Sequence, residues 1–384
     1  MLLYVHIPFC RKKCRYCSFV SYEGQEFQTQ RYIELLLKET ELRKNEFVEN
    51  VGSIFIGGGT PSLLSPESLL RLADKLNDFA LLDKAAEFTI ESNPGTVTEQ
   101  WMAAAAKSGM NRLSLGMQAL QPELLEVLGR IHSFKDVENT VRTARDFGIS
   151  NINIDLIFGV PGQTLKHWKE TLDAALSLKP THISAYGLIP EENTPLYNDL
   201  QSGLLTLPDP DLERIMYDTA ISVLSGHGLR QYEISNFSIP GFECRHNIGY
   251  WTQIPYVGLG VSAASMAVLS SGKNGMCCRR TTNTHSLSEY EQMIYGNVKP
   301  VAEDSLISPA EARFETMMLG LRMNNGVDTD RFFNMHGVSV EEVYGERLRR
   351  LKTQNLLFYS DHCWRLTRRG FDIQNSILVE LMDD

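Results

Sequence analysis

The sequence predicts an α/β protein: a partial (β/α)6 barrel with a sheet extension and a small C-terminal helical, winged-helix-like domain. Three observations carry this reading. Short runs rich in Val, Ile, Leu and aromatics alternate with amphipathic stretches up to about residue 190. Alternation of that length implies a parallel sheet curled by right-handed crossovers. From about residue 301 the texture changes to helical segments without alternating strands.

In chain order, strands are expected at 2–7, 53–57, 87–91, 112–117, 152–158 and 182–188. Helices are expected between them at 31–47, 66–78, 98–107, 133–147 and 165–178, where apolar residues recur at three- and four-residue spacing. A strand-like piece at 231–235 and a glycine-containing one at 256–262 extend the sheet. Helices at 309–323, 328–335 and 340–354 then precede a hairpin at 355–366 and a last helix. The implied units are a barrel over 1–235, an extension over 236–300 and a terminal domain over 301–384.

Composition narrows the function. The chain of 384 residues is 43% hydrophobic and 22% charged, as soluble globular proteins are, and can bury a large core. It shows no apolar run of bilayer length and no signal-peptide pattern at its start, so a cytoplasmic location is expected. An odd count of seven cysteines then speaks for metal or cluster ligation over a disulfide framework. A net charge of −10, with 14 acidic against 10 basic residues over 301–384, argues against nucleic acid as a partner.

Directly after the first strand, Cys10, Cys14 and Cys17 form a C-x3-C-x2-C run. Three thiolates on one short loop can hold three irons of a cubane and leave the fourth open. A closed zinc site wants four protein ligands, and His6 would be an awkward fourth. Arg11, Lys12, Lys13 and Arg15 would favour thiolates here, or else they simply solvate the loop. Gly57-Gly58-Gly59-Thr60-Pro61 ends the second strand, and triple glycine lets backbone approach a ligand closely. Glu91, Gln118, Arg130 and Asp155 sit at or just past successive strand ends, where a barrel builds its site.

On these residues the chain resembles the radical S-adenosylmethionine (SAM) superfamily, whose members bind a [4Fe–4S] cluster through this cysteine spacing and seat SAM on its open iron. The resemblance implies a radical SAM barrel, a cluster on Cys10, Cys14 and Cys17, and SAM as cofactor. It assigns SAM contacts to Tyr4, Tyr16, Gly58, Gly59, Thr60, Glu91, Gln118, Arg130 and Asp155, with no catalytic side chain named. Tyr4-Val5-His6-Ile7-Pro8-Phe9-Cys10, the 57–61 turn and the 155–162 segment further resemble the oxygen-independent coproporphyrinogen III oxidase branch, which contains the oxidase and a haem chaperone.

Three features favour the chaperone. Phe19 stands where the oxidase has a further cysteine, only Met1, Leu2 and Leu3 precede Tyr4, and residues 246–251 read H-N-x-x-Y-W. The resemblance thus implies haem as a ligand, with His246 able to bind its iron and Tyr250 and Trp251 offering aromatic faces, or else a buried corner packed by aromatics. Where many relatives read G-A-H-S this chain has Ser262-Ala263-Ala264-Ser265, so the axial ligand stays open. Cys244, Cys277, Cys278 and Cys363 receive no role. The expected function is delivery of haem to apoproteins, membrane-associated respiratory enzymes among them, with SAM cleavage and homodimerisation undecided. The alternative is an enzyme, a radical SAM dehydrogenase that oxidatively decarboxylates the propionates of coproporphyrinogen III.

Overall fold

The computed structural model describes residues 1–47, 49–79 and 82–382. It opens with β1 (Leu2–Ile7), followed in the cysteine loop by a two-stranded pair, β2 (Phe9–Cys10) and β3 (Tyr22–Glu23). Five more strands then lie side by side with β1 in chain order and parallel to it: β4 (Val51–Gly58), β5 (Leu82–Ser92), β6 (Arg112–Gln118), β7 (Asn151–Phe158) and β8 (His182–Gly187). This is the six-stranded partial barrel that the alternation predicts.

Both edges are extended. Past β8 come the short β9 (Arg230–Gln231) and β10 (Asn236–Ser238), with β10 antiparallel to its two neighbours. Past β1 comes β11 (Tyr256–Leu259), parallel to it, then the antiparallel β12 (Ala264–Ser270), β13 (Cys277–Asn283) and β14 (Val301–Ile307), giving twelve strands in one sheet. Alternate side chains of a strand face opposite sides. Leu3, Val5 and Ile7 of β1 and Ile54 and Ile56 of β4 accordingly join the helices in the main core. Tyr4, His6, Ser53 and Gly57 fall on the inner face.

The last segment builds a core of its own from Met317, Phe332, Tyr344, Leu348, Trp364 and Ile377, among others. Helices Pro309–Gly320, Thr329–His336 and Val340–Thr353 pack with β15 (Val327–Asp328) and the hairpin of β16 (Leu357–Ser360) and β17 (Cys363–Leu366), the element order of a winged helix. Asp361 and His362 both adopt positive φ, which matches the type I′ turn favoured between two such strands. Ser308 and Ser339 start two of these helices as capping boxes.

Three details differ from expectation. Residues 301–307 are the edge strand β14, largely exposed and carrying Glu303 and Asp304 at its centre, as charged residues do on a sheet edge. The strand expected at 231–235 is broken into β9 and β10, with Glu233 turned to a bridge with Met323. That expected at 256–262 stops at Leu259, since Gly260 and Ser262 take positive φ and return the chain into β12.

Extension and barrel are joined by a buried ion pair. On the helix Thr29–Leu42, Glu39 is 0% exposed and meets Arg43 Nε at 2.9 Å. The remaining Glu39 lone pairs accept from Asn283 Nδ2, the Tyr290 hydroxyl and the Gly260 amide at 2.7, 2.6 and 2.7 Å. Arg43 also donates to Asn283 Oδ1 and Glu46. Removing one member of a fully satisfied buried pair strands the other charge. Glu39→Ala should therefore lower unfolding stability by about 3–5 kcal/mol in urea denaturation, and a loss below about 1 kcal/mol would show that the pair does not hold the extension.

Candidate functional site

The cysteine loop is fixed to its surroundings by backbone. Tyr22 and Gly24 amides donate to Pro8 and Cys10 carbonyls, Arg15 N donates to Leu128 O at 3.0 Å, and Leu196 N donates to Arg15 O at 2.9 Å. The Arg15 side chain pairs with Asp199, and Lys13 Nζ donates to Phe19 O at 3.0 Å. Arg11 and Lys12 are exposed at the rim of a cavity of ≈ 230 Å³ whose wall includes Cys14, Asn93 and Arg130.

A polar arc connects two of the thiols. The Thr60 hydroxyl donates to Cys10 Sγ at 3.6 Å, and Asn93 Nδ2 donates to Thr60 Oγ1 at 2.8 Å. Arg130 closes the arc, with Nη2 donating to Asn93 Oδ1 at 2.8 Å and Nη1 to Cys14 Sγ at 3.3 Å. Its Nη2 also reaches the Gly116 carbonyl, and a Cβ at Gly116 would stand 2.8 Å from that nitrogen and from Gln118 Nε2. Donors aimed at sulfur suit thiolates that carry negative charge. Asn93 is the member the sequence reading passed over, although it lies only two residues past Glu91.

These residues fit an iron–sulfur cluster. Among the described residues no three His, Cys, Asp or Glu side chains converge on one ion position, and a cubane makes no such demand, since each thiolate binds a different iron. Burial raises Cys10 and pushes Cys17 up to about 11, and Lys13 opposes this only slightly. Metal must then displace thiol protons as it binds.

Each glycine of the triple has its own cause. A Cβ at Gly57 would meet the Glu91 carboxylate at 2.8 Å, one at Gly58 the His6 ring at 2.4 Å, and one at Gly59 the Phe9 carbonyl at 2.7 Å. The amides are already committed: Gly58 N to Glu91 Oε2, Gly59 N to Ile7 O and Thr60 N to Phe9 O. The motif therefore seats the cysteine loop on β4 and can offer a ligand only carbonyl acceptors, which suit an amino group.

Inside the barrel, Glu91 and Asp155 face each other's field. Burial first, then the Asp155 charge, push the Glu91 carboxyl up to about 7, opposed by the Gly58 amide. Asp155 accepts from Ser114 Oγ and Asn153 Nδ2 at 2.9 and 2.8 Å. Gln118 is buried at the end of β6 with a φ of 65°, and Tyr16 packs into an apolar cluster with Leu124, Leu128 and Leu196. The Tyr4 hydroxyl meets His6 Nδ1 at 2.9 Å, while His6 Nε2 meets Val20 O at 2.8 Å. A carbonyl only accepts, so Nε2 carries the proton and Nδ1 accepts from Tyr4.

His246 lies elsewhere. The helix Arg245–Trp251 plugs the barrel level with the start of β1, since Leu2 pairs in register with Ser53 and Ser53 with Glu87. Glu87 caps the plug: Arg245 N donates to Oε2 at 3.1 Å, and His246 N and Cys244 Sγ to Oε1 at 3.3 and 3.5 Å. His246 is 1% exposed, with Nδ1 against Ser53 Oγ at 2.8 Å and Nε2 against Tyr250 Oη at 3.0 Å. Burial and then Arg112 push it down to about 3. His246 thus sits in a buried corner packed by aromatics, with both ring nitrogens hydrogen-bonded. Gly249 lets the plug approach, as its Cβ would stand 2.6 Å from Leu2, and Trp251 lies under Arg322, in the turn after the helix Pro309–Gly320.

Comparison with known proteins places this geometry. The sequence profile of the radical SAM superfamily matches residues 4–175, and that of the HemN C-terminal domain matches 307–373. The heme chaperone HemW of Bacillus subtilis is 36% identical over 378 residues, 97% of this chain and 97% of that one. HemW of Lactococcus lactis is 36% identical over 99% of this chain and 97% of its own. A mitochondrial radical SAM domain-containing protein 1 of Danio rerio is 31% identical over 99% and 86%. The solved structure of coproporphyrinogen III oxidase, HemN, from Escherichia coli superimposes with a TM-score of 0.83 over 99% of this chain and 89% of that chain; at 22% identity it speaks for the fold.

The Glu91 carboxyl predicts a pH dependence. Folded protein holds its proton up to about pH 7 whereas the unfolded chain releases it near 4.5, so stability falls as pH rises through that window. Without SAM, Glu91→Gln should match wild type near pH 4.5 and exceed it by up to about 3 kcal/mol above pH 7 in urea denaturation. Parallel stability curves for the two proteins would mean that folding leaves the Glu91 carboxyl unshifted.

Proposed function

The chain belongs to the radical SAM superfamily, in its HemN-like branch near HemW, and from that premise we propose that it is a haem chaperone that carries a [4Fe–4S] cluster and SAM. The observation that carries the proposal is the end-to-end likeness to proteins named heme chaperone HemW, which runs through the cysteine loop, the plug helix and the winged-helix unit alike. Cys10, Cys14 and Cys17 would hold the cluster, which when bound supplies one-electron reduction of SAM. Arg130 and Thr60 steady two of the sulfurs through the arc with Asn93.

The remaining residues divide the work of holding SAM by chemistry. Carbonyls of the glycine turn accept from its amino group, and Glu91, Gln118 and Asp155 present acceptors and an amide within the barrel. Tyr16 shields the loop from below by its apolar packing. Apoproteins that take up haem are the partners implied. Among the described residues no helix is long and apolar enough to cross a membrane.

The oxidase reading has one specific observation against it. Phe19 replaces the cysteine two positions past Cys17 and is 65% exposed, so it offers no sulfur where the oxidase has one. Anaerobic reconstitution with iron and sulfide, followed by haem titration in visible absorbance, tests the proposal. Stoichiometric haem binding without decarboxylation of coproporphyrinogen III under reducing conditions is expected, and Cys14→Ala should lose the cluster absorbance. Turnover of coproporphyrinogen III, or a failure to bind haem, would overturn the chaperone reading.

A further inference from the structure

We propose that Asn93 is a positioning residue of the cluster site: its side-chain amide sets which way the hydrogen bonds of Thr60 and Arg130 point, keeps both donors on cysteine sulfurs, and so raises the reduction potential of the cluster those sulfurs carry. The inference rests on the cluster reading and adds a residue that adjusts the cluster's affinity for an electron. Asn93 supplies no ligand and follows the end of β5. Its amide bridges two side chains from separate parts of the fold, Thr60 beyond β4 and Arg130 beyond the helix Pro122–Leu128.

The direction of each bond follows from the one before it. A guanidinium has donors only, so the Asn93 atom that meets Arg130 Nη2 at 2.8 Å is the amide oxygen. The amide nitrogen then faces Thr60 and donates to its Oγ1 at 2.8 Å. A hydroxyl has a single proton. With its oxygen accepting from Asn93, Thr60 sends that proton to Cys10 Sγ, 3.6 Å away. At the other end Arg130 Nη2 is held by Asn93 and the Gly116 carbonyl, which leaves Nη1 on Cys14 Sγ at 3.3 Å. One amide thus orients a neutral donor on one sulfur and a charged donor on another.

Donors at sulfur stabilise a reduced cluster more than an oxidised one, because the reduced form carries more negative charge, and a charged donor does so more strongly than a neutral one. Water is a poor substitute at Cys10, since Thr60 is only 2% exposed. The Asn93 backbone is held without help from its side chain. Its N donates to Ser62 Oγ at 3.3 Å, and its carbonyl accepts from the Thr96 amide and hydroxyl at 3.2 and 2.7 Å. A change at the amide therefore leaves the loop in place. Aspartate has nearly the same shape but only acceptors, so at this position it would draw the Thr60 proton away from Cys10 and pair with Arg130.

Redox titration of the anaerobically reconstituted full chain, followed by electron paramagnetic resonance, tests this on wild type, Asn93→Asp, Asn93→Ala and Thr60→Val, with circular dichroism as the check of folding and resonance Raman as a second reading of the iron–thiolate bonds. In Asn93→Asp the equilibrium constant for one-electron reduction should fall about tenfold, which is about 59 mV toward lower potential. Asn93→Ala and Thr60→Val, which add no charge, should move the same way by a smaller factor, and the iron–thiolate bands should shift in all three. Potentials and bands equal to wild type in both Asn93 variants would overturn the proposal. So would a shift confined to Asn93→Asp, for which the added charge alone would account. Two Asn93 variants that fold yet take up no cluster would overturn it as well, since the residue would then serve to hold the cluster and not to set its potential. Absence of a cluster in reconstituted wild type would instead remove the reading on which the proposal rests.

Discussion

The Glu87 carboxylate is the interaction from which the rest of the molecule is arranged. A helix whose first turn enters a barrel leaves backbone N–H groups facing an interior with little water. Glu87 answers them, accepting from the amides of Arg245 and His246 and from the Cys244 thiol. Burial pushes that thiol up to about 12, so it stays a neutral donor. With the helix start so fixed, the geometry of the next turn follows. His246 falls against Ser53, Gly249 against Leu2, Tyr250 at the edge of an open cavity and Trp251 under Arg322. The terminal unit is thereby tied to the barrel floor through a residue of the same helix.

This arrangement explains why the sequence could single out the segment but not say which way its histidine faces. The fold was legible because period-two and period-three-to-four patterns survive without knowledge of contacts, and the cysteine run was legible because its spacing is local. Orientation of a single ring is not local. Whether His246 faces a cavity or a neighbouring strand depends on Ser53, distant in sequence, and on a cap that the sequence shows only as one glutamate in a strand. Asn93 was missed for the same reason, since its partner Thr60 follows β4 and its partner Arg130 follows the helix Pro122–Leu128. The edge strand β14 was read as helix territory because its sequence, VAEDSLI, has no alternation of apolar and polar residues to mark a strand.

The glycine triple shows how one motif can have a structural and a chemical use together. Three side chains are forbidden there by three different neighbours, the Glu91 carboxylate, the His6 ring and the Phe9 carbonyl. All three neighbours belong to the site or to its approach. What excludes a Cβ is thus the same crowding that brings the cysteine loop, the buried carboxyl and the imidazole together at the strand ends. The committed amides of Gly58, Gly59 and Thr60 leave acceptors as the only backbone groups on offer, and this restricts the ligand chemistry more sharply than the glycines' openness alone would.

The two ends of the barrel are distinct in position yet joined by a short hydrogen-bonded path. Tyr256 pairs in register with Leu2, whereas the cysteine loop departs after Ile7, so β1 separates cavity and cluster loop by roughly 17 Å at about 3.3 Å per residue. Tyr4 lies between them. It walls the cavity, and its hydroxyl donates to His6, whose other nitrogen donates to the Val20 carbonyl in the cysteine loop. The proton positions are fixed by the carbonyl at the end of that path, and burial lowers the His6 pKa and keeps the ring neutral. Tyr4 is therefore joined by a chain of two hydrogen bonds to the loop that carries Cys10, Cys14 and Cys17, with Gly58 supplying the space that lets the imidazole stand between them.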